Sequence, residues 1–462
     1  MIGQDKSKHF LVLLVVLFVA ALQVPLAGLF EMSEHNYQRW VQAFFLVLIA
    51  ISGLAPSFHH RFTASLQWLG PVFLSGIFLF LIGGAVSVSV NGKAYAALEY
   101  LHWLLLLFVL TSCIGVAPYV ARYALGCFLF LHMLSVMVGV LNCSFALFSG
   151  NSLWAQIVYP NNGNIRFFNQ IQVLAIPLLL FFLPLKRFQV WVALLIAAEF
   201  FLLFIGGARG ACLTLVLVAV LVGQCRQWRR QFYILVSAAA AAGVLYWLSL
   251  RWGFDGIQDL TRSGSSGRVA MWSALLRELD WRYLFYGAGP GSYTLFSGNL
   301  QLGHPHNAIL QILYEWGGLA LCGLLTSVAV MMHRALVYVR GRPLDGFAFS
   351  VFLSLVAALA YAMVDGVIVM PVSQSMLIIL AGLLMGLVAA GPQQVASPLA
   401  PVRRVPFSLA GKGGLCLVLA VYMRLIEHEY FVRPTRVYDW DMVRFWVPGE
   451  PVVESILGAI FY

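Results

Sequence analysis

Charge is what this chain has least of. Only 10% of its residues are Asp, Glu, Lys or Arg, 61% are hydrophobic, and the mean hydropathy is +0.88. That balance excludes an ordinary soluble domain and a disordered chain alike. The apolar runs also lack the apolar–polar alternation of barrel strands, which excludes a membrane β-barrel. Seven cysteines (Cys113, Cys127, Cys143, Cys212, Cys225, Cys322 and Cys416) form no Cys-x-x-Cys pair and no Cys/His cluster. They read as small core residues, and neither a disulfide framework nor a metal site is implied. There is no P-loop and no His-Glu-x-x-His, so the sequence offers neither ATP-driven machinery nor a zinc-protease helix.

What is present is long apolar runs, and crossing a bilayer takes about 20 apolar residues per helix. Candidate spans lie near 10–30, 41–56, 68–90, 98–117, 122–141, 170–184, 190–206, 210–224, 232–250, 307–332, 347–370, 373–390 and 408–425. The expected fold class is therefore all-α, a polytopic helical membrane protein of about 12–13 transmembrane helices. The first run follows Lys6 and Lys8. Its length, and the want of a small-x-small cleavage site, mark it as a retained helix rather than a signal peptide.

The formal charge of +10 raises the possibility of nucleic acid, but its distribution argues otherwise. With the N-terminus placed in the cytoplasm, the inner connections carry Lys6, Lys8, Arg61, Arg122, Lys186, Arg187, Arg226, Arg229, Arg230, Arg334, Arg340, Arg342, Arg403 and Arg404. Only Asp5 and Asp345 oppose them. This is the positive-inside bias of a membrane protein, with no nucleic-acid partner implied. It puts the polar loop 251–303 on the outer face.

The organisation expected is a single transmembrane domain over 1–425, with the large outer loop 251–303 inserted and an outer C-terminal tail over 426–462. Other outer segments are 141–168, with Asn142, Asn151, Asn161, Asn162, Asn164 and Arg166, and the tight Gly206–Ala211 connection around Arg209. The tail carries Arg433, Arg436, Asp439, Asp441 and Arg444. In the large loop, Ser263–Gly267 reads as a turn. Val269, Trp272, Leu275, Leu276 and Leu279 then recur at helical spacing, which predicts an amphipathic helix over 268–279 lying on the membrane surface. The Gly287–Ser292 stretch breaks that helix and permits a close backbone turn.

Several residues could carry chemistry. His306 stands where the polar loop meets an apolar span. It suits a general base, since an imidazole exchanges its proton near neutrality, or it merely adjoins the helix cap that Asn307 supplies. His304 stands two residues before it. Glu315 falls inside the span, where an ionisable group is costly and marks function or a buried polar partner. Arg209, between Gly207 and Gly210, is a fork suited to phosphate oxygens; the plainer readings are snorkelling or an ion pair with Glu199. Arg268 opens the loop helix as a solvated side chain or as part of an anion site at the helix N-terminus. Arg262 and Arg166 are lesser candidates of that kind. Asp365 either orients a base or pairs with an arginine.

These pieces, in order, resemble the O-antigen ligase/polymerase superfamily of bacterial membrane glycosyltransferases. The matching segments are Gly-Ala-Arg-Gly-Ala around Arg209, Ser-Gly-Arg-x-x-x-Trp with Arg268 and Trp272, and Gly-x-Gly-Pro-Gly at 287–291. His-Asn-x-x-Leu-Gln-x-x-x-Glu-x-Gly-Gly at 306–318 completes the set. The resemblance implies a GT-C-like fold in the bacterial inner membrane with the active site facing the periplasm. It implies transfer of a glycan from undecaprenyl diphosphate to an acceptor hydroxyl, with inversion and with no metal or other cofactor. His306 would be the catalytic base, Arg209 and Arg268 would bind the diphosphate, and His304, Glu315, Asn307 and Arg166 would position. The Arg166–Gln172 segment and the short tail look most like the branch that glycosylates pilin. The alternative acceptors are lipid A–core, in a ligase, and growing O-antigen, in a polymerase. Two readings from other classes are a secondary transporter, although no repeated halves are visible, and a non-catalytic envelope protein.

Overall fold

The computed structural model describes residues 2–30, 33–54, 69–149, 165–252, 267–295, 304–390 and 409–428, with 257, 260 and 264. Arg61, Asn151, Asn161, Asn162, Asn164, Arg262, Ser263, Ser265, Ser266, Arg403 and Arg404 lie outside the described residues, as does the tail from 429 onward with its arginines and aspartates.

All regular structure among the described residues is helical. The first half comprises α1 (Ile2–Gln23), α2 (Glu34–Ser52), α3 (Pro71–Asn91), α4 (Ala94–Ile114), α5 (Ala117–Ser149), α6 (Ile165–Leu179) and α7 (Gln189–Ile205). The second comprises α8 (Arg209–Gln224), α9 (Arg229–Arg251), α10 (Arg268–Glu278), α11 (Trp281–Tyr286), α12 (Ala308–Gly341), α13 (Gly346–Tyr361), α14 (Pro371–Ala390) and α15 (Leu409–Glu427). Each expected span coincides with one of these helices, and α10 and α11 occupy the polar loop. The chain is a polytopic helical membrane protein. Among the described residues, seven helices are long and apolar enough to cross a bilayer by themselves: α3, α4, α5, α6 with its short 3-10 extension, α9, α12 and α14. Four shorter apolar stretches accompany them, in α1, α7, α8 and α13. At 1.5 Å per residue, α7, α8 and α13 reach only about 24–26 Å, short of a hydrocarbon core of about 30 Å.

Large apolar side chains such as Phe145, Phe148, Trp191 and Leu213 point outward, the arrangement a lipid-facing surface requires. Inside, small residues let backbones touch. A methyl group on Gly83 of α3 would overlap Ala320 of α12, and one on Gly323 of α12 would overlap Phe80 of α3. Gly382 and Gly386 of α14, one turn apart, press in the same way on the Leu110 and Ile114 carbonyls of α4. Hydrocarbon gives no hydrophobic drive between helices, so close van der Waals contact of this kind holds them together.

Helix direction sorts the charges. The first turns of α6, α8, α10 and α12 and the last turn of α13 gather at one end of the bundle. The connections holding Lys186, Arg187, Arg226, Arg229, Arg230, Arg340 and Arg342 lie at the other.

Candidate active site

The gathered ends bring together residues far apart in sequence. The sequence before α12 runs Gly303-His304-Pro305-His306-Asn307, and Asn307 is its cap, accepting the Leu310 N–H at 3.0 Å while its amide donates to the Met363 carbonyl at 3.3 Å. With the cap so engaged, the chain before it turns sharply. His306 has φ +53°, the sole positive φ outside glycine among the described residues. A non-glycine residue held there stores strain, a feature that clusters at functional sites. The turn is fastened on both sides. The His306 N–H donates to His304 Nδ1 at 3.2 Å, and the Trp272 indole donates to the Pro305 carbonyl at 2.7 Å. Trp272 thereby ties α10 to the histidine turn.

The His306 ring is buried between a cation and an anion. Arg166, in the first turn of α6, places Nη1 3.2 Å from Nε2. Asp365, on the α13–α14 connection, places Oδ1 3.9 Å from Nδ1, which has no hydrogen-bond partner. A guanidinium can only donate, so Nε2 carries the lone pair and the ring proton sits on Nδ1, facing the carboxylate. Burial, seconded by Arg166 and Arg268 and opposed by Asp365, holds the imidazole pKa down at about 4. His306 is thus neutral at pH 7 with its basic nitrogen turned toward an arginine.

Asp365 is itself fixed. Oδ1 accepts from Gln170 Nε2 (2.8 Å) and the Gly366 N–H (2.6 Å), and Oδ2 accepts from the Tyr361 hydroxyl (3.0 Å). Ser373 donates to Gln170 Oε1 at 2.6 Å, which aims the amide nitrogen at the carboxylate. Arg268, half-buried at the start of α10, has its pKa lowered by burial first; the charges acting on it are those of Asp365, Arg166, Tyr361 and Arg209. Arg209 donates to the Gly264 carbonyl at 3.0 Å. Arg166 and Arg268 both act on His306, and Arg209 acts on Arg268. Helix N-termini present free N–H groups and a positive dipole end, so the site favours an anion.

His304, His306 and Asp365 offer three potential ligand atoms within 4.8 Å of one another, a set that by composition suits a divalent metal. The atoms have other duties. His304 Nδ1 receives an N–H, both Asp365 oxygens receive hydrogen bonds, and Arg166 stands against His306. The Arg268 guanidinium also repels any cation there.

The expectations drawn from sequence fare unevenly. His306, His304, Asn307, Arg166, Arg209, Arg268 and Asp365 come together. Glu199, weighed as a partner for Arg209, instead pairs with His132 (2.6 Å) and accepts from Gln172 at 2.8 Å. The Glu315 carboxylate receives the Tyr293 N–H at 3.1 Å and Gln311 Nε2 at 3.4 Å, so it anchors the polar loop. That anchoring continues in backbone. Gly317 breaks α12 at φ +83°, and the freed carbonyls of Tyr314 and Glu315 accept from the Ala288 and Gly289 N–H groups at 2.7 and 3.0 Å. The Gly-x-Gly-Pro-Gly turn is thus a seat on α12 in which a Cβ at Gly287 or Gly317 would overlap backbone. The face expected for α10 is met in part. Leu275 is buried beside Met271 against Tyr293 and Tyr314, and Trp272 and Leu279 pack against this cluster, whereas Val269 and Leu276 are exposed. The helix docks on protein, which is why its buried stripe is not the widest apolar one.

Sequence reasoning missed Tyr361, for which no local signal exists, and Arg39. Arg39, buried in α2, donates to Gln42 (2.6 Å), Gln374 (3.1 Å) and the Val369 carbonyl (2.7 Å). It grips the same connection that carries Asp365. An arginine near the start of an apolar helix was the available signal.

A strained, buried imidazole beside Arg166 and in the field of Arg268, in a multi-pass helical membrane protein, makes a candidate site for an anionic ligand. Residues 191–325 match the family described as O-antigen ligase, so this segment of the chain is similar to that family. The match spans Arg209, Arg268 and His306; Arg166 and Asp365 lie outside it. It supports a glycosyltransferase of O-antigen ligase or polymerase type, with a lipid-linked glycan donor and an acceptor in the membrane. A comparison with curated proteins finds no match.

Proposed function

We propose that this protein is a metal-independent, inverting oligosaccharyltransferase of the bacterial inner membrane with its site facing the periplasm. It moves a glycan from undecaprenyl diphosphate to a hydroxyl of an acceptor, in our reading a Ser or Thr of pilin. The observation that carries the reading is the neutral His306 whose Nε2 lone pair is covered by Arg166. The basic residues of the connections at the other end are opposed only by Asp5 and Asp345, whereas those at the site end are interspersed with Asp255, Asp259, Glu278 and Asp280, and this asymmetry supports the periplasmic orientation.

In the proposed reaction the donor's diphosphate draws Arg166, Arg209 and Arg268 onto its oxygens. Arg166 then leaves Nε2, and the acceptor hydroxyl takes its place. The hydroxyl proton passes to Nε2 as its oxygen bonds to the anomeric carbon from the face opposite the diphosphate. The bond from that carbon to the diphosphate oxygen breaks, and its electron pair leaves with the diphosphate. The imidazolium that forms is stabilised by Asp365 at Nδ1, and the arginines stabilise charge that grows on the leaving group. Loss of a general base costs on the order of 10²–10⁴ in rate.

The test is mass spectrometry of pilin and lipopolysaccharide from a deletion host complemented with wild type or His306→Ala. Pilin glycan restored by wild type alone, with unchanged lipopolysaccharide, supports the proposal. Loss of O-antigen from lipid A–core instead moves the acceptor and keeps the chemistry. Near-normal activity of His306→Ala sinks the base assignment.

A further inference from the structure

At the basic end of the bundle, about 18 Å along α6 from Arg166 at 1.5 Å per residue, a half-open cavity of about 330 Å³ lies between α5, α6 and α13. Leu125, Leu129 and Phe182 supply its apolar wall, and Arg122 and Ser350 are among the few polar residues that line it. Arg122 is exposed one turn and a half into α5, and Ser350 sits about one turn into α13. Gly126, one turn beyond Arg122, has nothing within 4 Å of where a Cβ would stand.

Ser350 is the unusual member. Other helical serines among the described residues donate to the carbonyl four residues back, as Ser135, Ser144, Ser249 and Ser375 do, or to a neighbouring helix, as Ser87 and Ser354 do. The Ser350 hydroxyl is fully buried and makes no hydrogen bond. A buried donor left unmade in so apolar a place calls for an acceptor that comes from outside the chain.

We infer that this cavity binds one anionic glycerophospholipid. Its acyl chain lies along Leu125, Leu129 and Phe182, its ester carbonyl accepts from Ser350, and its phosphate meets Arg122. The three features match three parts of that molecule. A polyprenyl phosphate would satisfy Arg122 and the apolar wall but has no ester to receive the Ser350 proton. The site is independent of the glycosyl-transfer centre, since no residue is shared.

The experiment is native mass spectrometry of the full-length protein in detergent, titrated with phosphatidylglycerol and, separately, with undecaprenyl phosphate. Gly126→Trp fills the cavity from open space, Ser350→Ala removes only the hydroxyl, and Arg122→Gln removes the charge. Phosphatidylglycerol binding should weaken about tenfold or more in Gly126→Trp and several-fold in each of the other two, while undecaprenyl phosphate binding stays unchanged throughout. Ser350→Ala, nearly isosteric, keeps the test valid if the tryptophan variant fails to fold. Wild-type retention of phosphatidylglycerol in Ser350→Ala and Arg122→Gln overturns the inference. So does undecaprenyl phosphate binding that falls in parallel with phosphatidylglycerol.

Discussion

Replacing Asp365 by asparagine isolates the electrostatic part of the proposed mechanism. The side-chain shape stays the same. The Gln170 amide and the Gly366 N–H can still donate to the remaining oxygen, and the Tyr361 hydroxyl can rotate to accept from the new amide, so the packing around the 2%-exposed residue survives. What disappears is a unit negative charge 3.9 Å from His306 Nδ1. At an effective dielectric of about 20, that charge favours an imidazolium by about 4 kcal/mol, which corresponds to roughly 10³ in rate if the imidazolium is fully formed in the transition state. Partial proton transfer brings the expected loss to about 10²–10³ in kcat, with KM for the lipid-linked donor little changed, because the neutral imidazole of the ground state gains far less from the carboxylate. The assay is single-turnover glycan transfer in proteoliposomes, for wild type, Asp365→Asn, His306→Ala and the double variant. If the carboxylate acts through the imidazole, the double variant is no slower than His306→Ala. A kcat for Asp365→Asn within about threefold of wild type, or additive losses in the double variant, would refute the reasoning.

The pH profile follows from the same geometry. His306 must be neutral to act, so kcat/KM should hold from neutrality down to about pH 5 and fall only as pH drops through the imidazole pKa of about 4; Arg166→Gln, by removing a cation, should move that acid limb upward toward the ordinary histidine value. Gly366→Ala should lower transfer by roughly 10²-fold, since a Cβ there overlaps the His304 ring, with the helical circular dichroism unchanged. Glu315→Ala should lower the apparent melting temperature in detergent, through about 1–3 kcal/mol for the Tyr293 N–H left unpaired. Glu315→Gln, which keeps an acceptor, should stay close to wild type in both stability and transfer.

The sequence made the helices legible for a physical reason. A bilayer demands a minimum apolar length, and the thirteen runs that meet or approach it stand out against polar connections. Asn307 was readable as a cap because capping is local, and His306 was readable because an imidazole at such a boundary is unusual. What was not readable is who meets whom. Arg166 reaches His306 across 140 residues, and Gln170 reaches Asp365 across 195; no periodicity encodes which helix ends converge. Glu199 and Glu315 show the same limit from the other side. Both are acids in apolar helices and both suggested chemistry or an arginine partner. The fold gives one to His132 and uses the other to hold a loop.

The break at Gly317 has a consequence for how the histidine turn is aimed. In an unbroken helix the Tyr314 and Glu315 carbonyls would accept from residues 318 and 319; here they accept from Ala288 and Gly289. The Glu315 carbonyl also accepts from the Ser87 hydroxyl of α3 at 2.8 Å, so α3 and the loop hold the bend together. The orientation of the helix that His306 precedes is therefore set jointly by α3 and by a segment some twenty residues upstream. The loop works as a latch for the histidine turn even though its latching bonds, from Ala288 and Gly289 to the Tyr314 and Glu315 carbonyls, are separate from that turn's own hydrogen bonds.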